Sequence, residues 1–352
     1  MDVRIVGTGT ANPPLRVSQK EIYDAYVNMV PLSERARRLL EKVLVHNESI
    51  AFRYMGAASL AECARETTQD QLITRYRKYA VATGVEAAQK ALLSAGLGPE
   101  EIDGIVVNTC TGYLCPGLTS YIAEALPLRK TIKPFELQGM GCGGAIPGLE
   151  TAYNYLKAHA ESSILMAAIE ICSATVFFND EPSILVSNAI FGDGAAAVVL
   201  TNRPGARGLR VLDFASGLFP EHRRHLHYAT EGSRLKNVLS RRVPTLGAKY
   251  GKQVIDNLLE KRGLQYTDVD HWVIHPGGQR VLDAFQKTLQ LQADQLECSR
   301  SILHDYGNMS SASVMFVLEE TMRTQNPQAG EIILLCSFGA GFSAFAALLE
   351  YL

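Results

Sequence analysis

The chain states one pattern twice, and that duplication restricts the fold more than any other feature of the sequence. Leu92-Leu-Ser-Ala-Gly-Leu97 with Ile102-Asp103-Gly-Ile-Val-Val107 reads as a helix, a glycine stop and a buried strand. Leu258-Leu-Glu-Lys-Arg-Gly-Leu264 with Val269-Asp270-His-Trp-Val-Ile274 has the same layout. A second echo pairs Gly141-Cys142 with Gly307-Asn308, each ahead of a helix containing Leu-Glu (Leu149-Glu150 and Leu318-Glu319). A third pairs Phe191-Gly-Asp-Gly194 with Phe338-Gly-Ala-Gly341. The first two echoes have nearly equal offsets. The third is shorter by about twenty residues, which assigns an insertion to the first copy, in the non-periodic stretch 172–190. Landmarks in one order at near-constant offset mark an internal duplication. Helix alternates with buried strand in each copy, the pattern of an α/β fold with a mixed, largely parallel sheet between helical layers. The halves are expected at 1–205 and 206–352, meeting at the polar joint Thr201-Asn-Arg-Pro-Gly205.

The second landmark carries chemistry. Cys142 lies among small residues in Gln138-Gly-Met-Gly-Cys-Gly-Gly-Ala145. Pro134-Phe-Glu-Leu137 precedes it as an apolar stretch, and Leu149, Ala152, Tyr153 and Leu156 follow at helical spacing. The reading is a strand, a tight turn holding the thiol, and the buried start of a helix. A helix N-terminus favours thiolate, and free glycine N–H groups can take up the charge of a tetrahedral intermediate. The plainer alternative is a structural cysteine in a packing turn. In a duplicated fold, matching landmarks meet at the pseudo-two-fold axis, which brings Asn308 towards Cys142. The strand end of the second copy adds His275, in Ile274-His-Pro-Gly-Gly278. Taken singly, His275 reads as a satisfied core histidine and Asn308 as a helix cap. Taken together, the three read as one site.

Bulk properties exclude several classes. The 352 residues are 47% hydrophobic and 20% charged with a formal net charge of −2, which points to no nucleic-acid partner. Arg35-Ala-Arg-Arg38 is a short basic run beside leucines and Glu34, read as a solvated helix face, with a CoA phosphate as the other use. Met1-Asp-Val-Arg-Ile-Val6 does not resemble a secretory leader, and no run of eighteen apolar residues predicts membrane insertion. Cys63, Cys110, Cys115, Cys142, Cys172, Cys298 and Cys336 form no C-x-x-C pair and no metal-ligand spacing, so reduced thiols in a cytoplasmic protein are expected.

Along the chain, Val3–Thr10 reads as a buried strand ending in a glycine turn. Ser18 with Glu21 forms a capping box that opens helical sequence over 18–46, broken at Pro31. Residues 69–95 form a long helix with Ala82, Val85, Ala88, Ala91 and Leu92 on one face. Residues 216–246 read as loop and short strands at a cavity mouth or, equally, as a solvated surface loop.

The segments Gly141-Cys-Gly-Gly-Ala145, Ile274-His-Pro-Gly-Gly278, Tyr306-Gly-Asn-Met-Ser-Ser311 and Ala189-Ile-Phe-Gly-Asp-Gly-Ala-Ala196 resemble those of the type III polyketide synthases, the chalcone-synthase-like branch of the thiolase superfamily. The likeness runs from Val3 to the C-terminus. It implies a thiolase-like fold of two duplicated halves in five layers, αβαβα, and a homodimer. It implies that a starter acyl-CoA acylates Cys142, with His275 paired to the thiol and favouring thiolate. His275 and Asn308 would then hydrogen-bond the thioester carbonyl of malonyl-CoA and stabilise the enolate left by loss of CO₂. No metal or redox cofactor is implied, only CoA thioesters; whether an acyl carrier protein replaces CoA stays open. The resemblance makes Phe191 a gate between the CoA tunnel and the cavity. It puts Cys110, Thr111 and Cys115 on a cavity loop whose tip reaches the neighbouring subunit, and Cys172 and Thr175 on the cavity wall. Gly277, Ser310, Gly339, Ala340 and Gly341 fall in matched substrate-contact segments, and Arg53 matches a CoA contact. Two departures stand out. Ala340 replaces a proline that shapes the cyclisation pocket, and no second aromatic gate lies near 234–240, where Asn237 or Val238 stands. Both suggest a cavity open to a longer aliphatic chain, with a pyrone, resorcinol or phloroglucinol as product.

Three rivals share parts of this pattern. A single-condensation enzyme like ketoacyl-ACP synthase III, or one joining two β-ketoacyl chains, has the same Cys-His-Asn set. A papain-like hydrolase has the same residue order but a different signature around its cysteine. A non-catalytic homologue would serve as a scaffold.

Overall fold

The computed structural model describes residues 2–65 and 68–352. The first half comprises β1 (Arg4–Ala11), β2 (Leu15–Ser18), α1 (Gln19–Met29), α2 (Glu34–Leu44), β3 (Phe52–Met55), α3 (Leu60–Arg65), α4 (Gln69–Ala95), β4 (Gly104–Thr109), α5 (Leu118–Ala125), β5 (Lys133–Gln138), α6 (Ala145–Ala158), β6 (Ser163–Ile171), α7 (Pro182–Ile190) and β7 (Asp193–Thr201). The second comprises β8 (Leu209–Leu218), β9 (Leu226–Glu231), β10 (Arg234–Leu239), α8 (Val243–Arg262), β11 (His271–Ile274), α9 (Gln279–Leu289), α10 (Glu297–Tyr306), α11 (Ser313–Thr324), β12 (Ile332–Gly339) and β13 (Ser343–Tyr351).

Nine strands run in the order β11-β12-β13-β8-β1-β7-β6-β4-β5. Exchanging β1 with β8, β7 with β13, β6 with β12 and β4 with β11 maps the order onto itself, and β5 has no counterpart. The two glycine stops match as well. Gly96 and Gly263 end α4 and α8 in the left-handed region, at φ 65° and 68°. The halves join where β1 pairs antiparallel with β8 at Arg4↔Arg210 and Ile5↔Leu209. The sheet is less parallel than expected. Only β4–β5, β4–β6 and β11–β12 run parallel, because β6 to β7 and β12 to β13 return antiparallel, as does the central join.

Strand alternation builds the layers. Ile105 and Val107 of β4, Leu165, Ala167 and Ile169 of β6, and Ala197 of β7 face α4 and α5. Their neighbours Val106, Ile164, Met166 and Val198 face a shared core with α6 and α11, which Ile333, Leu335 and Leu349 enter from the second half. Leu334, Cys336 and Leu348 face outward onto α8 and α9. Five layers result, α-β-α-β-α, with α6 and α11 in the middle.

Local sequence explains the elements. Ser18 caps α1 by accepting from Glu21 N while the Glu21 carboxylate accepts from Ser18 N at 2.7 Å. Gly7 and Gly9 do not end β1 in a turn. They lie inside it, where a Cβ would come within 2.6 Å of the α4 backbone, and so let α4 sit close on the strand. The buried face of α4 is Thr83, Gly84, Ala87, Ala88, Ala91 and Leu92; Ala82 is exposed and Val85 half-buried. The insertion spans residues 172–192, against 340–342 in the second copy, and it is not structureless. It contains α7, which packs between α2 and the β9–β10 hairpin. That hairpin, over 226–239, supplies the short strands expected within 216–246.

Candidate active site

The nucleophile turn follows β5. Gly139 and Gly141 take positive φ, 81° and 59°, and Gly141–Gly143 forms a short 3-10 turn before α6. Cys142 is 7% exposed. The second half closes over this turn. Ala340 N donates to Met140 O at 3.2 Å, and Ser337 Oγ donates to Gly143 O at 3.3 Å. Gly339 and Ala340 thus back the cysteine turn, whereas Gly341 faces Leu218. Of the glycine amides expected to be free, Gly144 N is taken by Gly141 O at 3.1 Å.

Asn308 lies between α10 and α11. Its Oδ1 accepts from Ser310 N at 2.8 Å and its Nδ2 donates to Gly277 O at 3.2 Å, leaving one amide hydrogen uncommitted. Ser310, held at φ 51°, has its hydroxyl 3.2 Å from Cys110 Sγ. Ser310 and Asn308 also neighbour Cys142 and oppose the rise of its thiol pKa. His275 is 1% exposed at the end of β11, with Phe338 edge-on at 5.8 Å, and Gly277 packs beneath the ring. Cys142, Asn308, Ser310, Gly277 and His275 are therefore brought together.

The expected Cys142–His275 hydrogen bond is not formed: neither ring nitrogen of His275 has a partner within the protein. Two buried, unpaired nitrogens are open to a ligand's polar atoms. Burial drives both groups towards their neutral forms. Burial pushes the Cys142 thiol up to about 11, with the Ser310 and Asn308 hydrogen bonds opposing and the Glu170 charge reinforcing. Burial alone pushes the His275 imidazole down to about 3. The thiolate expected at this helix start is thus not the resting form, because desolvation outweighs the turn's donors.

The outer candidates divide. Phe191 is half-buried at the C-cap of α7 and bridges to Asn308. Cys172 is buried, and Thr175 donates to its carbonyl at 2.9 Å. Cys110 faces Ser310 as above. The Thr111 hydroxyl is fully used, accepting from Ile171 N and donating to Glu170, both at 2.9 Å, so it serves the scaffold. Cys115 is exposed. Arg53 does not suit a CoA phosphate. It is 1% exposed, with Nη1 donating to Asn188 O and Phe191 O at 2.7 and 2.6 Å. The Arg35–Arg38 run does face solvent at Arg35, Arg37 and Arg38.

Two residues were missed. Glu170 accepts from Cys110 N at 3.0 Å and from the Thr111 and Ser311 hydroxyls, which ties the Cys110 loop to the Ser310–Ser311 turn. Its signal was a lone charge inside the otherwise apolar β6. Tyr228 reaches from β9 to 3.3 Å from Thr175 Oγ1, opposite Asn237 in the hairpin. An aromatic ring thus stands on the strand facing 234–240, where no periodic cue marks it.

Comparisons with known proteins cover the whole chain. Residues 11–212 match the family model "FAE1/Type III polyketide synthase-like protein", and 212–350 match "Chalcone and stilbene synthases, C-terminal domain". A 1,3,6,8-tetrahydroxynaphthalene synthase of Streptomyces peucetius subsp. caesius is 30% identical over 99% of this chain and 93% of its own length. A 3,5-dihydroxyphenylacetyl-CoA synthase of Streptomyces toyocaensis is 29% identical over 99% and 90%. The crystal structure of PKS-I from the brown alga Ectocarpus siliculosus superposes with a TM-score of 0.91 at 29% identity, covering 100% of this chain and 98% of that one.

Proposed function

This chain belongs to the type III polyketide synthase family and is a condensing acyltransferase, and from that premise we propose that Cys142, His275 and Asn308 are its catalytic residues. The observation that supports the assignment is the pair of buried, unpartnered His275 nitrogens, together with the Asn308 carboxamide that Gly277 and Ser310 hold and that acts on the Cys142 thiol.

Cys142 sulfur attacks the thioester carbonyl of the starter acyl-CoA while neutral His275 takes the thiol proton. CoA leaves as its thiol with that proton. The malonyl-CoA thioester oxygen then accepts from the His275 ring N–H and the spare Asn308 N–H. Loss of CO₂ leaves an enolate whose oxygen those donors stabilise. The enolate carbon attacks the acyl-Cys142 carbonyl, expels the sulfur, and leaves a chain two carbons longer on CoA. Repetition and ring closure give a pyrone, resorcinol or phloroglucinol type of product. The carbanion comes from decarboxylation, so the chemistry calls on no metal or redox group. Phe191, Cys110, Cys172, Thr175, Ser310 and Gly277 bound the substrate space in this reading.

The reading extends to the assembly. β5 pairs only with β4, leaving a free edge with Lys133, Pro134 and Gln138 exposed. A second copy at that edge would bring exposed Tyr113 and Cys115 towards its partner's cavity, with the duplicated halves dividing at 205/206. Intact-protein mass spectrometry after mixing with a panel of acyl-CoAs tests the nucleophile. The wild type acquires one acyl group and Cys142→Ala acquires none; equal labelling of both would refute the assignment.

A further inference from the structure

The buried guanidinium of Arg53 accounts for carbonyls that a helix end normally leaves bare. α7 ends at Ile190, and every carbonyl from Asn188 to Phe191 has a donor. Arg53 Nη1 reaches Asn188 O and Phe191 O, Gln19 Nε2 reaches Ala189 O at 2.9 Å, and Asn308 N reaches Ile190 O at 2.8 Å. Gly192 N returns a bond to Asn308 O at 3.0 Å. Gln19 Oε1 in turn accepts from Arg53 Nε at 2.9 Å. The stem of Arg53 packs against Gly307, where a Cβ would sit 2.9 Å from Arg53 Cγ and Cδ. One side chain therefore touches both neighbours of the site, the backbone of Phe191 and the residue before Asn308.

The anchor is rigid. Arg53 lies in β3 opposite Val17 of β2, and Gln19 N donates to Ala51 O at 3.0 Å. Burying a guanidinium is expensive, and packing alone would be met by an apolar side chain. A charge is retained where several carbonyl dipoles converge at a helix C-terminus.

We propose that Arg53 is a positioning residue: with Gln19 it clamps the end of α7 so that Phe191 and Asn308 keep the spacing that malonyl decarboxylation requires. The proposal rests on the role given to Asn308 above. Arg53→Met keeps the stem and removes the donors. It should lower kcat for malonyl-CoA decarboxylation, read as acetyl-CoA without starter, about ten- to a hundredfold, the scale of a misplaced donor. KM should change little, and the rate of Cys142 alkylation by iodoacetamide should fall far less than kcat, because Arg53 does not touch the thiol and Asn308 is only one of the groups that act on it. Arg53→Lys should recover part of kcat. Full kcat in folded Arg53→Met, or an equal loss of alkylation, overturns the proposal. If Arg53→Met does not fold, Gln19→Leu carries the test, with a several-fold lower kcat expected and an unchanged kcat overturning it. Asn308→Ala in the same assay separates the two levels. If it decarboxylates normally, the role of Asn308 is wrong; if it fails while Arg53→Met does not, only the clamp is wrong.

Discussion

Gly339→Ala should disable the nucleophile without touching its side chain. A Cβ on Gly339 would lie 3.2 Å from Gly143 Cα, 2.6 Å from Gly143 N and nearer still to Met140 O. All are backbone atoms of the turn that carries Cys142, so no side chain can swing aside. Restoring an ordinary contact of about 3.5 Å to all three atoms requires the turn or the end of β12 to move by roughly 1.5 Å. A shift of that size takes the sulfur out of line with Ser310 and Asn308 and should slow acylation by about 10²-fold. Overpacking should also cost about 1–3 kcal/mol of stability. Gly139→Ala is the control. Unlike Gly339, it has positive φ, 81°, but its Cβ would meet nothing within 4 Å. It pays only backbone strain of roughly 1–2 kcal/mol and should acylate near the wild-type rate. Rapid-mixing intact-mass measurements with one acyl-CoA, alongside thermal melts, give both quantities. A folded Gly339→Ala that acylates at the wild-type rate refutes the steric reasoning. Equal slowing in both variants would assign the effect to a general disturbance of the turn rather than to the clash at Gly339.

Burial raises the Glu170 carboxyl above its ordinary value of 4.5, although Ser311, Cys110 and Thr111 donate to it. The folded protein then holds this proton more tightly than the unfolded chain. The stability this gives is full below about pH 4.5 and is lost as pH rises through the folded value. The stability gap between wild type and Glu170→Gln, from urea denaturation over a pH series, should therefore shrink as pH rises from 4.5; a gap that widens would contradict it. Tyr228→Ala vacates the ring's place beside Thr175 and should lengthen the longest starter accepted in the acyl-CoA panel. Tyr228→Phe gives up only the 3.3 Å contact and should keep the wild-type range. An unchanged range in the Ala variant would remove Tyr228 from the cavity wall. Asn308→Asp keeps an acceptor for Ser310 N but loses both amide hydrogens and sets negative charge against the enolate. Its decarboxylation should fall by about 10²–10³-fold or more, and a rate above that of Asn308→Ala would count against the enolate role.

The elements that could be read in advance are those whose signal is local. The boundaries of α4, the glycine stops at 96 and 263, and the Ser18–Glu21 cap follow from periodicity and from side chains a few residues apart. The duplication made two α/β halves legible, and the five layers were legible only through the resemblance to the type III polyketide synthases. Strand direction was not, since helix–strand alternation is silent on whether β7 or β13 returns antiparallel. The site divides along the same line. Cys142, His275 and Asn308 stand in glycine-rich turns that carry their own signature. Arg53, Thr111 and Tyr228 depend on what the fold sets opposite them. An arginine in the short amphipathic β3 reads as surface until Asn188 and Phe191 close over it. Thr111 reads as a wall residue until Ile171 and Glu170 take up its hydroxyl.

The resting site is built to be uncharged, and that follows from the burial that defines it. Removing water raises the thiol and lowers the imidazole, so proton transfer from Cys142 to His275 is unfavourable until a substrate arrives. The same exclusion of water strengthens every hydrogen bond offered to a developing oxyanion. A site prepared by a standing ion pair would give its thiolate early and spend the imidazole N–H on sulfur. With both His275 nitrogens unpartnered, the proposed mechanism has the ring serve first as base towards Cys142 and then as donor towards the enolate, so that one neutral imidazole would meet two successive demands. Asn308 cannot alternate in this way. Its carboxamide is fixed by Gly277 and Ser310, which leaves a single hydrogen aimed at the substrate. Pairing one adaptable donor with one fixed donor explains why the backbone around Asn308 is clamped so heavily while the His275 ring is left free.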